Sequence, residues 1–174
     1  MKVLGIVGWS SSGKTTLLTA MLPMLKARGL RVSTVKHTHH NFDIDRPGKD
    51  SYRHREAGAH EVLVVSGTRW ALLHEIEGAE PSLPSLLARL DPVDLVLVEG
   101  YKSHAFDKLE VYRPALGKPP IWPDIPDVVA IASDIRPTDI RPDIGSRVLL
   151  PLNQPDRVAA WIMESNFQTD SNSS

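Results

Sequence analysis

Gly8-Trp9-Ser10-Ser11-Ser12-Gly13-Lys14-Thr15 fits the pattern G-x-x-x-x-G-K-[ST] at every fixed position. Each part of that pattern has a physical task. Backbone N–H groups across Ser10, Ser11 and Ser12 must converge on an anion, and the flanking glycines permit the unusual dihedrals this requires. A helix opening near Lys14 adds free N–H groups and a positive dipole end. The Lys14 ammonium is placed for β- and γ-phosphates. The Thr15 hydroxyl is placed for magnesium, a hard cation that prefers oxygen. Thr16 can bond an α-phosphate. The octapeptide follows an apolar run and precedes a helical one, which a chance glycine turn would not require. It implies a purine nucleoside triphosphate carried with magnesium.

Such a site needs a carboxylate on the metal side. Leu95-Val96-Leu97-Val98-Glu99 offers Glu99 at a strand end, on the phosphate-loop edge if this strand runs parallel to the first. Asp94, five residues upstream, would lie roughly 16 Å away at strand rise and cannot share the role. Asp134 follows another apolar run. A carboxylate there can accept both N1–H and the 2-amino group of guanine, and adenine lacks the former, so the contact would select GTP; it can equally open a turn. The polar stretch 36–45 contains His37, His39, His40, Asp43 and Asp45. It suits a nucleotide-linked switch, a second substrate, zinc or nickel, or an ordinary solvated loop; switching fits best. Asp50 or Ser51 can cap the next helix or contact ligand.

The elements that must hold these residues follow from periodicity. Residues 3–7 form a short apolar strand, and a helix of about fifteen residues starts at Lys14, with Leu17, Leu18, Met21, Leu22 and Leu25 at helical spacing. Pro23 should kink or shorten it. Residues 31–36 complete a strand–loop–helix–strand unit, hence a parallel sheet. A short helix is expected at 51–58, and strands 61–66 and 70–76 read as an antiparallel hairpin beside the parallel sheet. Trp70 and that hairpin suit core or a subunit interface. A helix follows at 82–90, strands at 95–98, 108–112, 128–132 and 147–150, and a closing helix at 156–167. Residues 114–126, rich in proline, read as irregular surface chain. The fold class these elements predict is α/β, with a mainly parallel sheet plus an antiparallel hairpin. One nucleotide-binding domain is expected over 1–167 and a disordered tail over 168–174.

Composition bounds the rest. The 174 residues include 41% hydrophobic and 24% charged, with no cysteine, which excludes disulfides, thiolate nucleophiles and Cys-type zinc sites. A cytoplasmic location, no signal peptide and no membrane span are expected. Residues 1–60 carry ten Lys/Arg against four Asp/Glu, and the remainder ten against seventeen. A basic front half suits a small anionic ligand, but the bias is too weak, and too short of aromatic–basic pairing, for nucleic acid.

With these residues placed, the chain resembles the MobB family of molybdopterin-guanine dinucleotide biosynthesis adapter proteins, from residue 1 to about residue 167. Trp9-Ser10 through Lys14-Thr15-Thr16, Lys36-His37-Thr38-His39-His40 and Pro47-Gly48-Lys49-Asp50-Ser51 carry the likeness. Ala57-Gly58-Ala59, Arg69-Trp70-Ala71-Leu72, Leu97-Val98-Glu99-Gly100 and Ala132-Ser133-Asp134 continue it. The resemblance implies a three-layer P-loop NTPase fold, GTP and Mg2+ as ligands, slow intrinsic GTP hydrolysis, a homodimer, and association with the guanylyltransferase that attaches GMP to molybdenum cofactor. Contact with molybdopterin itself is a further possibility it raises. The family protein assists that transfer without catalysing it. By motif, Gly13, Lys14, Thr15 and Thr16 would bind phosphates, Thr15 and Glu99 would serve magnesium, and His37, Asp45 and Asp50 would lie in the loop facing the γ-phosphate or the partner. Some members lack the first loop glycine, whereas Gly8 is present here.

Two other functions use the same loop. A small-molecule kinase would need a base such as Asp43 or Asp45. A metallochaperone GTPase would use His37, His39 and His40. No arginine stands in or just beside the phosphate loop in sequence, so one acting on transferred phosphate would come from elsewhere, Arg46, Arg53 or Arg55, or across a dimer.

Overall fold

The structure, a computed structural model, describes residues 1–38, 42–141 and 143–167. His39 and His40 of the metal-binding alternative, and the tail from 168, lie outside the described residues. In chain order the elements are β1 (Lys2–Val7), α1 (Lys14–Ala27), β2 (Val32–Lys36), α2 (Asp50–Glu56), β3 (Glu61–Val65) and β4 (Trp70–His74). Next come α3 (Leu83–Leu87), β5 (Leu95–Glu99), β6 (Lys108–Tyr112), β7 (Val128–Ser133), β8 (Val148–Pro151) and α4 (Pro155–Glu164). Where the sequence suggests one domain over 1–167, the chain packs as two compact units, residues 1–37 with 90–174, and residues 38–89.

The first unit is built on a six-stranded sheet in the order β2-β5-β1-β6-β7-β8, and every pairing in it is parallel. Strands buried on both faces read as continuous apolar runs, which is the pattern of β1 and β5. Side-chain alternation then divides the core. Leu4, Ile6, Leu95, Leu97, Leu109 and Val111 pack with Leu17, Met21 and Leu25 of α1 and with Val158 and Ile162 of α4. The opposite face buries Val7 and Ile131 with Trp122 and Ile140. Residues 114–126 are therefore not merely surface chain, because Ile121 and Trp122 are buried. Nor does Pro23 break α1, which runs unbroken through it. Burial of Leu17, Leu18, Met21 and Leu25 outweighs the one lost backbone bond; truncating a buried Leu or Met to Ala costs about 2–5 kcal/mol.

The second unit contains the expected hairpin as a separate two-stranded sheet, antiparallel from Glu61↔His74 to Val65↔Trp70. Its helices are shorter than periodicity suggests: α2 starts at Asp50, one residue earlier than expected, with Lys49 as N-cap and no side-chain cap. α3 is little more than one turn, capped by the Ser82 hydroxyl accepting from the Ser85 N–H. Arg55 organises this unit, its guanidinium lying 2.8 Å from Asp43, 3.4 Å from Asp45 and 2.8 Å from Glu75. Among the described residues no helix is long and apolar enough to cross a membrane.

Candidate functional site

The phosphate loop joins the C-terminal end of β1 to α1, and its backbone has the dihedrals an anion nest demands. Gly8, Ser11 and Gly13 have φ of 147°, 64° and 100°. Gly13 is the N-cap of α1, in the left-handed region. Gly8 also answers to packing, since a Cβ there would stand 2.5 Å from the Val111 carbonyl oxygen and 2.7 Å from Ser12 Oγ. Ser12 is buried, and its hydroxyl has no hydrogen-bond partner among the described residues. Ser10, Ser11, Thr15 and Thr16 are exposed. Lys14 folds back on the loop and donates to the carbonyls of Gly8 at 3.0 Å and Trp9 at 2.8 Å. Burial lowers its pKa, nearby Glu99 opposes this, and Lys102 and Lys36 reinforce it.

Register decides the position of Glu99. β5 runs parallel to β1 with Ile6 opposite Glu99, so the carboxylate stands at the edge from which the loop departs. The Thr15 hydroxyl lies 3.5 Å from each Glu99 carboxylate oxygen, and Lys36 Nζ lies 3.8 Å from one of them. Adjacent ligands of octahedral magnesium are roughly 3 Å apart at metal–oxygen distances of about 2.1 Å. A hydroxyl and a carboxylate at this spacing therefore fit magnesium after a shift of a few tenths of an ångström, or through water, with phosphate and water completing the shell. The donor set is all oxygen, which suits magnesium over softer metals. No cluster of three or more His, Asp or Glu able to hold a metal ion occurs among the described residues.

His37 also belongs to this unit. Its N–H donates to the Glu99 carbonyl at 2.9 Å, and its ring lies 4.5 Å from that of Tyr101. A Cβ on Gly100 would fall 2.9 Å from the His37 Cβ. The ends of β2 and β5 are thus locked together beside the Glu99 carboxylate.

Asp45 and Asp50 lie in the second unit. The Asp45 carboxylate accepts from the Ser51 hydroxyl and the Arg46 N–H, both at 2.9 Å, and faces Arg55. Asp50 is exposed, 4.0 Å from Arg53. With three carboxylates around it, Arg55 is committed inside its own unit.

Two residues near the loop escape sequence reasoning. Arg113 directly follows β6, and its guanidinium atoms lie 3.7–3.9 Å from the position a Gly13 Cβ would take; its Nε is 3.8 Å from Asp134 Oδ2. Asp134 in turn follows β7. The other residue is Glu110, fully buried on β6 opposite Val7. Its carboxylate accepts from the N–H groups of Ile121 at 2.9 Å and Trp122 at 2.8 Å. Burial pushes its pKa up to about 7, against those two donors, Lys102 and Arg147. The signal available for Arg113 was its place one residue beyond a strand, as for Asp134. For Glu110 it was a carboxylate inside an apolar run.

With this geometry in place, likeness to known proteins becomes informative. Residues 3–134 match the family model described as MobB, molybdopterin guanine dinucleotide synthesis protein B. The chain belongs to this family. A molybdopterin-guanine dinucleotide biosynthesis adapter protein of Escherichia coli (strain K12) is 41% identical to this MobB-family chain over 166 residues, covering 93% of it and 91% of the relative. One of the same name from Haemophilus influenzae is 40% identical over 162 residues, covering 92% and 86%. A crystal structure of a molybdopterin-guanine biosynthesis protein B superposes with a TM-score of 0.68 at 27% identity, over 92% of this chain and 97% of the other. The fold is thus the MobB P-loop NTPase fold, with its mainly parallel sheet and separate hairpin.

Proposed function

We propose that this MobB-family protein is a GTP-binding adapter that assists attachment of GMP to molybdopterin without catalysing it. The observation that carries this reading is the convergence of a nested phosphate loop, Lys14 and the Thr15–Glu99 pair at one sheet edge, in a chain akin to named adapter proteins. Gly8–Thr16 would hold the GTP phosphates, and Thr15 and Glu99 would hold Mg2+, which would neutralise phosphate charge. Asp134 reads guanine, and His37 braces the strand end that carries Glu99. The protein works in the cytoplasm, where GTP is supplied, beside the guanylyltransferase and its molybdopterin substrate.

Hydrolysis by the isolated protein is slow, on the order of 10⁻² s⁻¹ or below, as for P-loop GTPases to which no partner supplies an arginine. GTP turnover measured with and without guanylyltransferase and cofactor tests the adapter role. Fast multiple turnover by the isolated chain would overturn it, and a phosphorylated metabolite would instead support a kinase. Neither the kinase nor the metallochaperone alternative has a specific observation in its favour.

The protein acts as a homodimer. Leu63, Val65, Trp70 and Leu72 share one face of the hairpin through the pairs Leu63↔Leu72 and Val65↔Trp70, and are 60%, 66%, 65% and 44% exposed. An apolar strand face open to water favours association with a second copy. Sedimentation showing only monomer at micromolar concentration would exclude it.

A further inference from the structure

We propose that Arg113 is a nucleotide-contacting, specificity-determining residue that ties the guanine-reading carboxylate of Asp134 to the phosphate loop. The proposal rests on the GTP reading above and adds a residue and a coupling to it.

The topology makes the placement. β6 lies between β1 and β7 in an all-parallel sheet. Three neighbouring strand ends therefore deliver the phosphate loop, Arg113 and Asp134 to the same edge in that order. Neighbouring strands stand about 4.8 Å apart, so the loop and Asp134 are separated by roughly 10 Å. A nucleoside bridging phosphates on β1 to a base read beside β7 must cross the end of β6, where Arg113 stands.

The side chain is poised for that ligand. Its Nε and one terminal nitrogen lie 3.7 Å from the Cβ position at Gly13, the residue that opens α1 and its unbonded N–H groups. Nε is excluded from solvent and has no hydrogen-bond partner among the described residues. Its 3.8 Å separation from Asp134 Oδ2 is too long for a hydrogen bond and short enough for strong Coulomb attraction. The two side chains remain about a third exposed, 39% and 30%, so a ligand can reach both. A guanidinium cannot lose its proton at any ordinary pH. Arg113 thus places a permanent cation beside Asp134, an acceptor for guanine N–H groups, while the rest of its planar fork is free to bond phosphate oxygen.

Equilibrium binding of GTP and ATP with magnesium to the full-length protein tests this, using wild type, Arg113→Ala, Arg113→Lys, Asp134→Ala and the double alanine variant. Loss of a charged hydrogen bond changes affinity by about tenfold or more. Arg113→Ala should bind GTP about tenfold more weakly and lose most of the GTP-over-ATP preference. Arg113→Lys should recover affinity for both nucleotides, because it restores a cation, but not the preference, because it lacks Nε. The double variant should discriminate no worse than Asp134→Ala alone. An Arg113→Ala variant with the wild-type GTP-to-ATP ratio overturns the proposal, and so does additivity in the double variant. If wild type itself prefers neither nucleotide, the guanine reading fails first and this proposal with it, an outcome told apart by wild type alone. Matching thermal melts establish that the Lys variant is folded.

Discussion

Glu110 gives the sharpest physical test of how the site is supported. It pairs with Val7, the residue before the phosphate loop, and its carboxylate fastens the buried Ile121–Trp122 segment to β6. Two effects compete. Two backbone donors favour the charged carboxylate, while complete burial penalises it, and burial wins: the pKa rises from 4.5 to about 7. A raised folded pKa means that this group's stability contribution is fully present below the unfolded value, near 4.5, and is lost as pH rises through 7. At about 1.4 kcal/mol per pH unit the total is about 3 kcal/mol, most of which disappears between pH 5 and pH 8. Glu110→Gln removes the titration. It also replaces one acceptor oxygen by a donor facing Ile121 N–H or Trp122 N–H, a pH-independent loss of about 1–3 kcal/mol. The variant should therefore be less stable than wild type at pH 5, and the gap should close or reverse by pH 8. Urea denaturation at pH 5, 6, 7 and 8, with slopes compared to exclude a change in unfolding mechanism, reads the difference directly. Parallel profiles separated by a constant offset would refute the reasoning. A wild type gaining stability with pH relative to the variant would show that the backbone donors, not burial, control the charge.

Three further outcomes are expected. Lys14→Ala should weaken GTP binding at least a hundredfold in calorimetry, since it removes the one cation placed within the loop; near-normal binding would mean the loop is not the phosphate site. Glu99→Gln should leave GTP affinity in EDTA almost unchanged but cut the gain from added magnesium by about tenfold, whereas equal loss in both conditions would place Glu99 outside the metal shell. Arg55→Ala should expose residues 42–56 to limited proteolysis while the sheet of the first unit stays resistant, because Asp43, Asp45 and Glu75 lose their common partner; an unchanged cleavage pattern would deny Arg55 that role.

What was legible in the sequence was what local spacing determines. The phosphate loop needs glycines and a lysine at fixed offsets, and a strand places Glu99 at its end by counting, so both could be located once a parallel pairing was assumed. Asp134 was visible for the same reason. Arg113 was not, because its contact with Gly13 spans a hundred residues and depends on strand order, which no spacing encodes. The burial of Trp122 within residues 114–126 is not legible there because prolines signal irregular chain, while burial depends on Glu110 and Arg147, which bonds the Trp122 carbonyl. The helix over 82–90 shrank to Leu83–Leu87 because helical propensity alone does not sustain a short segment in water.

The site's polar contacts also bear on why such a protein would bind and release nucleotide rather than hold it. Each charged group at the strand ends already has a protein partner: Lys14 on two loop carbonyls, Glu99 beside Lys36 and Thr15, and Asp134 beside Arg113. If nucleotide and magnesium load as proposed, Lys14 exchanges its carbonyls for phosphate and Glu99 exchanges Lys36 for metal while Arg113 stays beside Asp134, so net affinity is the difference between two sets of interactions. Only the Lys14 bonds are short; the Glu99 and Asp134 contacts lie at 3.5–3.8 Å, too long to hold the carboxylates as strong hydrogen bonds would. On the proposed reading, the metal and base sides are thus prepared at little cost, and the cost of binding concentrates on Lys14. That arrangement favours reversible loading, which an adapter needs, over the tight retention expected of a resident cofactor.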